Sequence, residues 1–335
     1  MTTAQNIEDF LCDAGWGDAL RSPLAGDASA RVYERLALKS QQAVLMIAPP
    51  QGDEVARFTR IARWLLANGF SAPRIFAEAA DSGLLLLEDL GDDLIARMIA
   101  KTPAREGELY AKITDFLLAL HRCPEPNGLN VLDGPALGNM IDICAQWYVF
   151  AADGECDFVQ ISEQISQTYT ALNSSRNVMC LRDFHAENLL WLPERSGAAG
   201  LGLLDFQDAV LAHPAYDLVS ALQDARRDVS PEVERVERRR YVQLAGFDSD
   251  QFDAVYALLG AQRSIRILGI FTRLCLAAGK ASYVGLIPRT WGYIERNLAH
   301  PALIGLADEF FAQVPAPTDA LLQRMIDQCG THPMR

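Results

Sequence analysis

The chain is poor in cysteine, in basic charge and in long apolar runs, and each shortage narrows what it can be. Seven cysteines among 335 residues are scattered, odd in number and without a C-x-x-C pair. They read as reduced thiols rather than a disulfide framework or a zinc site, and point to a cytoplasmic setting. No stretch approaches the roughly 20 consecutive apolar residues that cross a bilayer. The first residues also lack the basic segment and apolar stretch of a signal peptide, so no membrane is expected as a partner. Lysine and arginine number 30 against 43 aspartates and glutamates, a formal charge of −13. Nucleic acid is thereby disfavoured as a bulk partner, because phosphate backbones are held by basic surface. Internal repeats and low-complexity runs are absent too. What remains is a chain half hydrophobic and long enough for two lobes with their own cores.

Its centre is Arg182-Asp183-Phe184-His185-Ala186-Glu187-Asn188, followed by Leu201 to Asp208. Two apolar runs, Asn188 to Leu192 and Leu201 to Leu204, flank a segment rich in Pro and Gly, the pattern of a β-hairpin. Asp183 and Asn188 stand before its first strand and Asp205 after its second. Closing the hairpin gathers one carboxylate able to meet a hydroxyl, and an amide with a second carboxylate able to ligate Mg²⁺. Taken singly, such residues are ordinary turn or capping groups. Taken jointly, they are what phosphoryl transfer requires, where positioning and charge neutralisation carry most of the catalysis.

This stretch resembles the catalytic and metal-binding loops of the aminoglycoside phosphotransferase family, small-molecule relatives of protein kinases. The continuation Ala212-His213-Pro214-Ala215-Tyr216-Asp217 matches that family as well. The longer wording, with Leu222-Gln223-Asp224-Ala225-Arg226-Arg227-Asp228, is most similar to its branch of anomeric N-acetylmuramate/N-acetylglucosamine kinases of cell-wall recycling. The resemblance runs from about Ile7 to about Leu306. It implies an α+β protein-kinase-like fold, with a small antiparallel sheet and one helix in an N-terminal nucleotide-binding lobe (residues 1–90). A mostly helical catalytic and sugar-binding lobe (91–335) would follow. It also implies ATP and Mg²⁺ as cofactors and an amino sugar as the substrate. Other small-molecule kinases, for aminoglycosides, choline or amino alcohols, and a non-catalytic nucleotide-binding protein are the alternatives.

Taken in order, Ile7 to Ala14 has helical spacing. Ser22 to Leu36 reads as strand, loop of small residues and strand, the loop holding Ser29 and ending at Arg31. Small side chains there would let backbone N–H groups approach nucleotide phosphates. Ala43 to Ala48 is a third strand. Kinases carry a phosphate-binding lysine on this strand, and here the position falls on Met46. Arg31, Arg35 and Lys39 are candidates for the lost charge, Arg31 being best placed. Asp53 to Asn68, with Gly69 just beyond, is an amphipathic helix, in which Glu54 reads as an ordinary helix-start acid. Pro73 to Ala77 and Gly83 to Leu87 are two further strands. The run from Leu87 to Asp92 resembles the kinase hinge, whose main chain at Glu88 and Leu90 would meet adenine. Helical periodicity then takes over at Leu109 to His121 and Met140 to Phe150, with a loop over Pro124 to Pro135. It returns over Pro231 to Leu244, Ser249 to Ala278, Arg289 to His300 and Pro301 to Gln313.

The remaining candidates concern the acceptor. Asp183 is expected to orient the attacking hydroxyl, with Asn188 and Asp205 holding Mg²⁺. His185 either orders the loop or touches substrate. Gln207 and Asp208 face sugar hydroxyls or a second metal, or simply make a turn. Asp217, in the first turn of a helix, is read as structural; the resemblance makes it a brace for the catalytic loop. Pro214 follows Asp205 by only nine positions, too few for a peptide-docking activation segment, so a small-molecule acceptor is favoured. Arg263, Arg266 and Arg273 recur on one apolar helix. Such arginines face water, pair with a carboxylate, or receive a substrate carboxylate bidentately; Arg263 is taken as the substrate candidate.

Overall fold

The computed structural model describes residues 3–24, 31–50, 52–154, 156–173 and 175–333. Ser29, expected at the nucleotide phosphates, lies outside them. The chain forms two compact units, Met1–Ala119 with Ala186–Ala209, and Leu120–His185 with Val210–Arg335. The first unit therefore runs past the boundary read at Gly91 and takes back the hairpin segment.

In the first unit, α1 (Thr3–Asp13) precedes β1 (Leu20–Pro23), β2 (Val32–Leu38) and β3 (Gln41–Ile47). Helix α2 (Glu54–Ala67) and strands β4 (Ile75–Ala79) and β5 (Leu84–Glu88) complete a five-stranded antiparallel sheet in the order β1-β2-β3-β5-β4. Because side chains alternate along a strand, the register sorts two faces. Leu36, Ala43, Leu45, Leu84 and Leu86 pack with Ile7 and Leu11 of α1. Val44 and Met46 point the other way, opposite Arg35 and Tyr33 of β2. Gly83 turns the chain into β5 at φ +74, and an added Cβ would fall 2.2 Å from the Ala48 carbonyl oxygen, so only glycine fits. Helices α3 (Ile95–Lys101) and α4 (Glu106–Leu120) follow.

The chain then builds part of the second unit: α5 (Gly134–Asn139), a π-helical turn over Cys144–Val149, α6 (Phe158–Leu172) and β6 (Val178–Cys180). It returns to the first unit as β7 (Leu189–Trp191) and β8 (Leu201–Leu203), antiparallel with Leu189 opposite Leu203. This is the expected hairpin. Leu190 bridges Leu94, and the Leu203 amide donates to the Ser71 carbonyl at 2.9 Å, so both strands are stitched to their own unit. Arg195, in the connecting turn, donates to Ser71 Oγ at 2.8 Å and to Glu88 at 2.6 Å.

The second unit resumes with β9 (Val210–Ala212), which pairs with β6, then α7 (Ala215–Leu222), α8 (Pro231–Ala245) and α9 (Ser249–Leu276). Helices α10 (Ile287–Leu298), α11 (Ile304–Gln313) and α12 (Asp319–Asp327) close the chain. Helix α9 is long and apolar enough by composition to cross a membrane, yet 83% of its most apolar window is buried in the protein. It is the core helix of this unit, lying against α7, α10 and the π-helical turn. At Gly269 the packing is closest, with an added Cβ only 2.4 Å from the Ile143 carbonyl oxygen.

Candidate active site

In the first unit the hairpin sets the site's geometry. The Leu204 amide donates to the Asn188 carbonyl at 2.9 Å, continuing the ladder one step past Leu189 and Leu203. Asn188 and Asp205 consequently emerge at the same end of the ribbon. Asp205 has φ +55, the left-handed region that aspartate tolerates better than most residues. Phe206 turns inward against Phe58 of α2, their rings 4.8 Å apart. Gln207 is buried and donates from Nε2 to Asp205 Oδ1 at 2.8 Å and to Asp208 Oδ2 at 3.3 Å. It therefore ties the two carboxylates together, which neither a sugar-facing role nor a plain turn had suggested.

Cations meet these acids. Arg31 Nη2 lies 2.5 Å from Asp205 Oδ1, and Arg57 Nη1 of α2 lies 2.5 Å from Asp208 Oδ1. Burial opposes the charge on Arg31, but Tyr33, Asp205 and Asp208 together hold its guanidinium above the ordinary range. Met46, where a kinase lysine is expected, is fully buried. Arg35 is committed to Asp89 and Asp92. Lys39 sits exposed in the turn between β2 and β3. Of the three cations considered for the lost charge, Arg31 is thus the one beside Asp205, the aspartate expected to hold Mg²⁺.

Glu88 ends β5, its amide donating to the Arg74 carbonyl at 2.8 Å. Its carboxylate is nearly buried between Arg74 and Arg195, which overcome burial and hold it below the usual range. That side chain is spent on structure, and only the main chain around it is left for a ligand. Leu90 packs beside Gly202, its Cδ1 3.1 Å from where a Cβ would stand.

In the second unit the loop carrying Asp183 hangs from Asp217. This carboxylate is fully buried, accepting from the Leu181 amide at 2.5 Å and the Arg182 amide at 3.0 Å. It lies in the first turn of α7, as expected, yet its two bonds go to the loop carrying Asp183. Burial pushes it up to about 7, against the two amides and the Arg263 charge, which pull it down; Asp183 adds to the rise. Arg182 adopts φ +69, and its carbonyl accepts from Ser220 Oγ at 3.2 Å. Arg263 donates from Nη2 to the same Ser220 oxygen at 2.7 Å. Arg263, expected at substrate, is thereby buried in the support behind the loop. His185 is buried too. Behind Asp217 lie His121 and Cys180, their ligand atoms within 4.8 Å of one another. Burial depresses His121 to about 3 and raises the Cys180 thiol.

An antiparallel five-stranded sheet with its helix, a ribbon carrying an amide and a carboxylate, and a helical unit bracing an Asp-bearing loop define a protein-kinase-like phosphotransferase. Solved structures support that fold. Choline kinase LicA from Streptococcus pneumoniae superposes with a TM-score of 0.60 at 13% identity, covering 91% of this chain and 99% of that one. The GDP complex of an aminoglycoside 2'-phosphotransferase superposes with a TM-score of 0.60 at 15% identity, covering 89% and 98%. The chain belongs to the phosphotransferase enzyme family, whose profile matches residues 21–255. It is 41% identical to an N-acetylmuramate/N-acetylglucosamine kinase of Caulobacter vibrioides, over 92% of this chain and 96% of the relative. A Pseudomonas aeruginosa kinase of the same name is 28% identical over 94% and 95%. It is therefore an enzyme that transfers phosphoryl groups to a hydroxyl acceptor.

Proposed function

We propose that this enzyme transfers the γ-phosphoryl group of ATP to the anomeric C1 hydroxyl of N-acetylmuramate and N-acetylglucosamine, in the cytoplasmic recycling of cell-wall sugars. The sugar O1 forms a bond to the γ-phosphorus, the bond from that phosphorus to the β,γ-bridging oxygen breaks, and ADP leaves. Asp183 accepts a hydrogen bond from O1–H and turns the oxygen toward phosphorus. Since the transition state is loose, proton removal is late and the carboxylate acts chiefly by orientation. A hemiacetal hydroxyl is more acidic than an ordinary alcohol, which eases that demand further.

Asn188 and Asp205 offer hard oxygen donors at one end of the hairpin, a set that suits Mg²⁺. The ion would neutralise phosphate charge when bound. Gln207 and Asp208 hold Asp205 in place, Arg31 supplies the positive charge that Met46 cannot, and the main chain from Glu88 to Leu90 receives adenine. His185 and Asp217 order the catalytic loop. The observation that carries the reading is the joint placement of Asn188 and Asp205 by the hairpin, in a chain 41% identical along nearly its whole length to a kinase of that name. Incubation with Mg·ATP and each sugar, followed by ³¹P NMR, should reveal a C1 phosphomonoester. Absence of sugar-dependent ADP release at millimolar sugar overturns the proposal.

A further inference from the structure

Helix α9 carries Arg263 and Arg266 three positions apart, hence on neighbouring parts of one helix surface. The two differ in what they hold. Arg263 is tied to Ser220. Arg266 is half-buried, and among the described residues no hydrogen bond or ion pair engages its guanidinium. Burial lowers its affinity for a proton, and the groups that act on its charge are Tyr216, Arg182, Asp183 and Arg263. Arg182 likewise makes no ion pair with a carboxylate among the described residues, and its Nε is buried without a partner. Ser220 Oγ accepts from Arg263 at 2.7 Å and donates to the Arg182 carbonyl at 3.2 Å, so the α9 surface that bears Arg263 and Arg266 lies against the loop of Arg182 and Asp183, and three guanidiniums gather there in a protein whose net charge is −13.

That arrangement is costly. Like charges repel, and a half-buried guanidinium without a carboxylate gives up part of its hydration with no partner in return. A ligand bearing an anion would relieve both costs, and guanidinium presents the planar fork that a carboxylate fits. Because Asp183 lies within the same electrostatic neighbourhood, the anion belongs to the molecule whose hydroxyl Asp183 receives.

We propose that Arg266, flanked by Arg182, receives the acceptor's carboxylate and sets the preference for N-acetylmuramate, whose lactyl ether carries one, over N-acetylglucosamine, which has none. This assignment rests on the acceptor reading given above. It moves the specificity role from Arg263, which serves the loop, to the arginine one turn along.

The test is the kinetics of wild type, Arg266→Met and Arg266→Lys with N-acetylmuramate, its methyl ester and N-acetylglucosamine at saturating Mg·ATP. A charge-assisted bidentate pair predicts that Arg266→Met loses about 10- to 100-fold in kcat/KM for N-acetylmuramate, mainly through KM. The ratio of kcat/KM between the two sugars should fall by the same factor. The acid and its ester, distinguished by wild type, should become equivalent in the Met variant, and Arg266→Lys should recover part of the preference. Equal losses on both sugars would make Arg266 a general element of the site and overturn the assignment. So would an unchanged ratio, or a wild type indifferent to esterification. Melting temperatures of the variants separate these outcomes from misfolding. Should wild type phosphorylate neither sugar, the acceptor reading itself falls and takes this assignment with it.

Discussion

Asp217→Asn tests the brace behind the catalytic loop, because asparagine keeps the shape and one acceptor while removing the charge. In the fold the carboxyl titrates at about 7, against an ordinary value of 3.8. A group whose folded value is raised contributes stability that is complete below its unfolded value and is lost as pH climbs to the folded one. Between about pH 5 and pH 7 the folded state keeps the proton while the unfolded chain has released it, so stability falls by about 1.4 kcal/mol per pH unit. Over that interval the loss amounts to about 3 kcal/mol. His121, at about 3, is neutral throughout, and the raised Cys180 thiol remains protonated, so neither neighbour masks the effect. For a unit of this size, 1 kcal/mol moves the melting temperature by about 2 to 4 °C. Melting curves of wild type and variant at about pH 5 and pH 8 should therefore show the wild type losing about 6 to 12 °C relative to asparagine across the range. A constant gap would mean that the carboxyl titrates normally. A gap of opposite sign would mean that the two amides and Arg263 outweigh desolvation. Either result refutes the reasoning.

Asp205→Ala should abolish turnover and weaken Mg·ATP binding at least about tenfold by calorimetry, whereas Asp183→Ala should spare that affinity; equal affinities in both variants and wild type would refute the division of roles. Gly269→Ala places a Cβ 2.4 Å from the Ile143 carbonyl oxygen, so α9 must shift, at about 2 to 3 kcal/mol read by denaturant melting. Arg195→Ala frees Ser71 and one side of Glu88, and hydrogen exchange at Leu189–Trp191 should accelerate; unaltered exchange would show that the turn does not anchor the ribbon.

Much of the scaffold was legible because its signals are local. Apolar runs about a Pro- and Gly-rich turn foretold β7 and β8, and the apolar spacing ahead of Gly69 foretold α2. What stayed hidden depends on partners distant in sequence or on small differences of pitch. A carboxylate in a helix's first turn ordinarily serves that helix, so local sequence alone gives Asp217 no reach beyond it; only the family resemblance pointed to the loop, and its partners there prove to be the Leu181 and Arg182 amides. Periodicity likewise cannot separate Arg263 from Arg266; only Ser220, brought alongside by α7, does so. The π-helical turn at Cys144–Val149 lies within a stretch read as an ordinary helix, since one widened turn barely alters an apolar pattern. Helices α6 and α12 go unread although their signals are local: Asp157 caps Phe158, Ile161, Ile165 and Tyr169 at helical spacing, and Thr318 caps Leu321 and Met325. The boundary read at Gly91 followed composition, whereas the compact unit is decided by pairing: Leu94 with Leu190 and Ser71 with Gly202 draw residues 186–209 back to the first unit.

The missing lysine shows how the two kinds of information combine. From sequence, Met46 is a deficit of one positive charge on β3. The register places Tyr33 of β2 directly opposite Met46, and by alternation Arg31 and Arg35 belong to that same face of the sheet. The face that lacks a cation on one strand thus has two on the next. They are not equivalent. Arg35 holds Asp89 and Asp92, near the end of β5, whereas Arg31 holds Asp205 at the end of β8. A charge on either strand would serve a bound phosphate provided that it stands on the correct face and beside Asp205, the proposed metal ligand. Arg31 stands on that face and beside Asp205, so under the proposed function the departure at Met46 is a displacement of charge by one strand.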